Sequence, residues 1–181
     1  DFVYVNPGYQ PGRFPIISAG ELPVLIGEAH GGTRAVDAWY RKYAATEMKD
    51  VKYCFSFILD PLTWHSSKKK IVVPSDVKGM KVRPSQATVA AWVTLLGGTN
   101  VQASATEVRD VMEKGVAEAV TFPWGSVPLL GVDKVTKYHM DAPLHTVMFQ
   151  WLMNPRTYNA MSASQKKVID DHCTTAWAEK V

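Results

Sequence analysis

Cysteines, blocks of like charge and long apolar runs are scarce in this sequence, and each absence excludes a class of protein. The 181 residues contain two cysteines, too few for a disulfide-rich scaffold and without the CxxC spacing of zinc or redox sites. No apolar stretch approaches the roughly 18 residues that a membrane-spanning helix needs. Lysines and arginines are scattered except at Lys68–Lys70, which we interpret as a solvated loop in preference to a nucleic-acid patch. We therefore expect neither a membrane span nor a nucleic-acid partner.

The two cysteines each lie in an apolar segment. Cys54 belongs to a strand-like run and Cys173 to a helical one, so we expect buried, unreactive thiols. The sequence leaves open whether they pair, and the compartment cannot be read from them.

Motifs of the common enzyme classes are also missing. The sequence has no GxSxG elbow, no P-loop, no GxGxxG turn and no HExxH helix. Five histidines, at positions 30, 65, 139, 145 and 172, lie far apart, and none stands at a ligand spacing with Asp, Glu or Cys. His139 and His145 flank Pro143 in a predicted loop. We therefore predict a protein that is not an enzyme and has no metal site and no cofactor.

The composition is that of an ordinary globular protein. Hydrophobic residues make up 46% and charged residues 20%, and the length suits one domain or parts of two. The sequence does not open with the charged and apolar regions of a signal peptide, and residues 1–5 resemble the inside of a strand. We expect a truncated or mature fragment.

The first third of the chain is rich in turn-forming residues. Ten prolines and glycines among the opening 32 residues permit only short elements. Thr33 is predicted to cap a helix that runs to about Met48, and the aromatic and branched run over 51–59 predicts a buried strand that Pro61 ends.

The middle of the chain alternates between strand and helix patterns. Its predicted elements are a turn capped by Ser75, a strand over Lys81–Arg83, a helix over Ser85–Leu96 that Gly97 and Gly98 end, a strand over Asn100–Ala103, a helix opened by a Ser104/Glu107 capping box and ended by Gly115, and a strand over Val116–Phe122. This alternation with tight turns is typical of a parallel sheet with right-handed crossovers.

The tail adds one more strand and two helices. A strand is predicted over Thr146–Met153, a helical turn opens at Asn154 and Pro155, and a Ser162/Gln165 capping box starts the last helix.

Arg83 is the first candidate binding residue. Ligands of open α/β sheets bind beyond the carboxyl ends of the strands, and Arg83 ends a predicted strand just before the helix that begins at Ser85. A guanidinium fork and a helix N-terminus both favour a carboxylate. Position alone leaves a second interpretation open, a solvated surface ion pair.

Aromatic residues form the other candidates. Thr121, Phe122 and Trp124 follow the third predicted strand, where the rings form either a pocket wall or part of the core. Trp64 and His65 are expected in a loop, as a ring wall with a polar contact or as a packed surface Trp with a solvated His.

Several segments together resemble the substrate-binding proteins of TRAP transporters, the tripartite ATP-independent receptors for organic acids. The segments are Gly8–Pro15 with Leu22–Pro23; Ile71, Asp76, Lys78, Gly79, Lys81 and Arg83 of an I-x4-D-x-K-G-x-K-x-R pattern; Ala87–Gly115; Gly115–Trp124; and Met161–Lys167. Their order and spacing cover nearly the whole chain, and no single motif decides the match.

The resemblance implies a two-lobed, type II-like periplasmic binding protein fold of class α/β, with mixed, mainly parallel sheets and crossover helices. We expect residues 1–60 in the first lobe, 61–145 in the second, and 146–181 to return toward the first. The implied function is that of a periplasmic receptor that grips an organic carboxylate through Arg83, closes about a hinge, and delivers the ligand to an integral-membrane permease. We expect a monomer.

The sequence also departs from the family pattern. Many relatives carry an Asn near Thr121 and some carry a second Arg near Thr63, whereas rings occupy both neighbourhoods here. We therefore expect a monocarboxylate with an apolar or aromatic body that contacts Trp64, Phe122 or Trp124. Ser85 and Thr121 would add polar contacts.

Two other classes stay open. A bilobal effector-sensing domain of a transcription regulator has a similar fold, and a DNA-binding helix-turn-helix before Asp1 would favour it. An enzyme of the same fold would need a nucleophile or an acid–base pair, which the sequence does not offer.

Overall fold

Strands and helices alternate along much of the chain in a computed structural model, which describes residues 1–10 and 12–181. Pro11, part of the predicted turn-rich opening, lies outside the described residues. The chain divides into two compact units. Unit 1 comprises Asp1–Glu21, Glu28–Leu59 and Val147–Val181, and unit 2 comprises Leu22–Gly27 and Asp60–Thr146. The expected assignment of residues 1–60, 61–145 and 146–181 to two lobes stays a prediction.

The described residues contain eight strands, in two sheets. They are β1 (Phe2–Val5), β2 (Lys52–Ile58), β3 (Thr63–Ser66), β4 (Lys81–Arg83), β5 (Thr99–Asn100), β6 (Ala119–Phe122), β7 (Tyr138–His139) and β8 (Met148–Met153).

Eight α-helices connect or flank these strands within the same described residues. They are α1 (Pro15–Ala19), α2 (Ala29–Glu47), α3 (Ala87–Leu95), α4 (Val108–Glu113), α5 (Ser126–Leu129), α6 (Pro155–Ala160), α7 (Ala163–His172) and α8 (Thr175–Ala178). None of them has the length and hydrophobicity needed to cross a membrane.

Unit 1 is built on an antiparallel sheet in the order β1-β8-β2. The strand predicted over 51–59 is confirmed as β2. The predicted cap of α2 is wrong, because Thr33 lies inside the helix and its hydroxyl accepts a hydrogen bond from Ile58 N at 3.2 Å. Glu28 caps the helix instead, since its carboxylate accepts hydrogen bonds from the first-turn N–H groups.

A buried carboxylate ties the helices of unit 1 to its sheet. Asp37 on α2 is fully buried and accepts hydrogen bonds from Tyr53 Oη at 2.6 Å, Ser56 N at 2.7 Å and Thr175 Oγ1 at 2.6 Å. Arg41, one helical turn further on, pairs with the same carboxylate at 2.7 Å. Because a buried charge is costly unless it is paired and hydrogen-bonded, this set of partners is what permits Asp37 in the core.

The two cysteines also join these elements. Cys54 on β2 and Cys173 at the end of α7 form a disulfide across 119 residues, which corrects the expectation of two unreactive thiols. Both segments were correctly identified as apolar. The pairing escaped sequence reasoning because the two residues meet only through tertiary packing.

Unit 2 contains the second sheet, of order β5-β4-β6-β3-β7. Its strands β5, β4 and β6 are parallel, as the alternating pattern predicts, whereas β3 and β7 add antiparallel pairs at the other side. The mixed α/β class is confirmed. The expectation of mainly parallel sheets is wrong, because parallel pairing is confined to β5, β4 and β6 and the other described strand pairs are antiparallel.

Two strands of unit 2 were missed. Trp64 and His65 lie in β3 and not in the expected loop, and His139 lies in β7 and not in a loop around Pro143. Both strands are short, and their partners are distant in sequence, so neither produces a clear local pattern.

Helix ends in unit 2 and in the tail agree with the capping signals, whereas two strands differ from their predicted bounds. The Ser104/Glu107 and Ser162/Gln165 boxes are confirmed, as is the end of α3 at Gly97, whose φ of 79° favours glycine. The strand expected over Asn100–Ala103 is shorter and lies at Thr99–Asn100. The strand expected over Val116–Phe122 begins at Ala119.

We expect reduction of the disulfide to destabilise unit 1. The bond closes a loop of more than 100 residues, so its loss should lower the free energy of unfolding by about 2–5 kcal/mol. Chemical denaturation with and without reductant measures this. A Cys54→Ala/Cys173→Ala double variant should be as unstable as the reduced protein and insensitive to reductant. Two titratable thiols in the oxidised protein would contradict the assignment.

Candidate ligand-binding site in unit 2

The site begins with the parallel pairing of β4 and β6. Val82 lies opposite Ala119 and Arg83 opposite Val120, so both strands end at the same edge of the sheet. Arg83 is therefore brought next to Thr121 and Phe122, 38 and 39 positions further along the chain. This is the edge at which ligands of open α/β sheets bind.

Arg83 is buried at this edge. Its side chain is 3% exposed, Nε donates a hydrogen bond to Ala103 O at 3.0 Å, and the guanidinium carbon lies 5.2 Å from the centroid of the Phe122 ring. These contacts exclude the solvated surface ion pair that sequence position left open. They hold the guanidinium in a fixed orientation, as a carboxylate fork requires.

A second group of polar side chains is centred on Ser85, two residues after Arg83. Ser85 N donates to Thr121 Oγ1 at 3.2 Å, and Ser85 Oγ contacts both Gln86 Oε1 and, at 3.2 Å, His145 Nε2. All four side chains are buried. Sequence reasoning predicted Ser85 and Thr121 but missed Gln86 and His145.

His145 is held by its backbone beside the start of β3. Leu62 N donates to His145 O at 2.7 Å, and the Trp92 ring lies edge-on to the imidazole with a centroid distance of 6.2 Å. Burial lowers the pKa of His145 to about 4, because an apolar surrounding disfavours the charged imidazolium. His145 is therefore neutral at physiological pH. No local signal in the sequence connects it with Ser85, 60 positions earlier.

His65 belongs to a ring cluster on β3, the strand that flanks β6 on the side away from β4. Its Nε2 lies 3.1 Å from Phe122 O, and because a carbonyl only accepts, Nε2 carries the proton. His65 Nδ1 then accepts from His139 Nδ1 at 2.8 Å. Burial is the main cause that lowers the pKa of His65. Trp124, 46% exposed, packs against both imidazoles, with centroid distances of 5.1 and 5.3 Å.

Trp64 is placed apart from Arg83. It lies opposite Thr121, whereas Arg83 lies opposite Val120, so alternation along the strands directs the two side chains to opposite faces of the sheet. Trp64 is 2% exposed and packs in the core with Val82 and other apolar residues. Its role as a ring wall for the ligand stays a prediction.

A cavity of about 640 Å³ lies on the Trp64 side of unit 2. Trp64, Trp92, Ile71 and Met140 are among its lining residues, and Arg83 is not. Among the residues that the structure describes, no cluster of three or more His, Cys, Asp or Glu side chains could hold a metal ion.

The chain matches the model of one protein family over residues 1–180. That family is described as bacterial extracellular solute-binding protein, family 7 (DctP).

Solved structures match the chain over 99% of its length. A TRAP solute-binding protein from Rhodoferax ferrireducens with copurified benzoate is 29% identical, with a TM-score of 0.93 over 57% of its own chain. A marine metagenome TRAP solute-binding protein specific for aromatic acid ligands, with 3-hydroxybenzoate, is 32% identical, with a TM-score of 0.92 over 57% of its chain. The present chain thus spans little more than half the length of these proteins.

A more distant match shows how widely the fold is shared. A TRAP periplasmic solute-binding protein from Pseudomonas aeruginosa with bound L-malate is 14% identical, and the match covers 99% of this chain and 64% of that one with a TM-score of 0.83. At this identity the likeness shows the fold alone. Together these matches confirm the two-lobed binding-protein fold class that the sequence predicts.

We expect stability to fall with acidification below about pH 6.5. An unfolded histidine takes up a proton near 6.5, whereas folded His145 does so only near 4. Between these values the unfolded chain binds more protons, so the free energy of unfolding rises with pH, by on the order of 3 kcal/mol across the window. Chemical denaturation at several pH values from 4 to 7.5 measures this slope.

His145→Phe should reduce the slope, because one of the two buried histidines with a lowered pKa is gone while His65 remains. His30→Gln, which alters an exposed histidine of unit 1, is the matched control and should retain it. An unchanged slope in the His145 variant would contradict the assignment.

Proposed function

We propose that this chain, which belongs to family 7 of the bacterial extracellular solute-binding proteins, the TRAP transporter family, is a receptor that captures a small organic carboxylate. It then delivers the ligand to the integral-membrane permease of its transporter. The observation that carries this proposal is Arg83, a buried and oriented guanidinium at the carboxyl edge of the unit 2 sheet.

The physical argument concerns the charge and the orientation of Arg83. A planar guanidinium binds a carboxylate through two parallel charge-assisted hydrogen bonds, which are stronger than bonds between neutral groups. Ala103 O and the Phe122 ring fix one side of the guanidinium, at Nε and over its plane. A guanidinium held in this way loses little further freedom when an anion binds, which favours affinity.

For the ligand we propose a monocarboxylate with an aromatic or apolar body. Phe122 lies beside Arg83, and the half-exposed ring of Trp124 follows two residues later. Benzoate and 3-hydroxybenzoate in the relatives that are 29% and 32% identical support an aromatic acid. The L-malate relative, at 14% identity, shows the fold alone and gives no information on the ligand of this chain.

Family membership supports the remaining parts of the proposal. We propose that the chain is a periplasmic binding protein without chemistry of its own, and that it acts as a monomer. The Cys54–Cys173 disulfide supports the compartment, because disulfides form and persist in oxidising environments such as the bacterial periplasm.

We expect Arg83→Lys to weaken carboxylate binding strongly. Lysine keeps the charge but lacks the planar fork, so the loss of one charge-assisted hydrogen bond should cost about 1.5–3 kcal/mol, or roughly 10- to 150-fold in Kd. Calorimetric titration of the purified full-length protein with benzoate, 3-hydroxybenzoate, an aliphatic monocarboxylate and a C4-dicarboxylate measures both affinity and preference.

Arg109→Lys is the matched control for this experiment, because Arg109 is an exposed arginine on α4 of the same unit. It should leave the affinities unchanged. A clear preference for the C4-dicarboxylate would contradict the proposed ligand class, and an equal response of both variants would contradict the role of Arg83.

A further inference from the structure

We propose that Ser85, Gln86 and His145 form a polar subsite that binds a hydroxyl group on the carboxylate ligand. The inference rests on the proposed function, since it concerns a second group of the ligand that Arg83 holds. It assigns recognition roles to Gln86 and His145, for which the sequence offered no motif.

The three side chains form a hydrogen-bonded chain with a defined direction. Ser85 Oγ donates its single proton to Gln86 Oε1. Ser85 Oγ must then accept at its contact with His145, so His145 Nε2 carries the imidazole proton. Because burial keeps this imidazole neutral, His145 Nδ1 is left with a lone pair and no proton.

The polar atoms at both ends of this hydrogen-bonded series of side chains lack a partner. Within the part of the protein that the structure describes, His145 Nδ1 and Gln86 Nε2 are buried and have no hydrogen-bond partner. The hydrogen-bonded chain thus presents one acceptor and one donor. If the Gln86 amide is turned over, every hydrogen bond reverses, and the chain again ends in one donor and one acceptor.

One donor and one acceptor match the bonding capacity of a hydroxyl. A hydroxyl accepts from Gln86 and donates to His145, whereas a carboxylate oxygen, which only accepts, would face the bare lone pair of His145 Nδ1. The charge of each ligand group decides which protein side chains bind it. The ionised carboxylate goes to the Arg83 guanidinium, and the neutral hydroxyl goes to the neutral side chains.

The subsite adjoins Arg83 along the chain. Ser85 follows Arg83 by two residues, so their Cα atoms are at most about 7 Å apart. Gln86 is the N-cap residue of α3, so the subsite also lies at the N-terminus of a nine-residue helix. Gln86 is 5% and His145 0% exposed, which raises the cost of leaving their polar atoms unpaired.

The test compares ligands that differ only in the hydroxyl. Kd values are measured by calorimetry on the purified full-length protein for benzoate, the three hydroxybenzoate isomers and the corresponding fluorobenzoates. We expect one hydroxy isomer to bind about tenfold or more tightly than benzoate, and its fluoro analogue to bind like benzoate because fluorine cannot donate. This comparison needs no variant, so it is decisive even if a substitution prevents folding.

Two variants then locate the effect. Gln86→Met removes the donor and His145→Phe removes the acceptor at similar side-chain volume, and each should reduce the tenfold preference for the hydroxy isomer over benzoate to about one. Thr136→Val is the matched control, because it removes another buried hydroxyl of unit 2, which donates to Val132 O. It should keep the preference.

The outcomes separate the two proposals. If benzoate and the hydroxybenzoates bind equally, or if the preference persists in both variants, the hydroxyl subsite is wrong and carboxylate capture stands. A fluoro analogue that binds as tightly as the hydroxy ligand also contradicts the hydroxyl subsite alone. If no carboxylate binds the unmodified protein, the proposed function itself is overturned.

Discussion

The parallel pairing of β4 with β6 is the constraint on which the candidate site depends. The register that sets Val82 opposite Ala119 and Arg83 opposite Val120 ends both strands at one edge. Four residues of the site are positioned from that edge: Arg83 by its own strand end, Thr121 and Phe122 by the neighbouring strand, and Ser85 by its hydrogen bond to Thr121. A shift of one residue would send Arg83 to the opposite face, because side chains alternate along a strand.

Burial divides this edge into a charged part and a neutral part. Arg83 stays charged because guanidinium does not deprotonate in proteins, and its buried charge favours an anion. Burial has the opposite effect on the two histidines, since it lowers the pKa of both His65 and His145. A site with one fixed positive charge and neutral hydrogen-bonding groups can bind a monoanion without attracting a second carboxylate. This is the electrostatic argument for a monocarboxylate over a dicarboxylate.

Local patterns predicted much of the fold. The strands β2 and β4, the end of α3 and two capping boxes agree with the structure, because turn residues and caps act through the nearest few residues. The failures share a cause. Trp64 and His65 form a strand only because β6 pairs with them, Glu28 caps α2 in place of a Ser or Thr signal, and Cys54 meets Cys173 across 119 residues.

The sequence by itself determined the order of most strands and helices, the ordered motifs of the family, and the place of Arg83 at the end of a strand. It could do so because each of these features depends on residues that are close together in the sequence. Only the tertiary structure decided that Arg83 is buried, that Trp64 lies on the other face of the sheet, and that His145 and Gln86 meet at Ser85. The physical reason is that burial, strand register and hydrogen bonds between distant segments exist only once the sheet has formed.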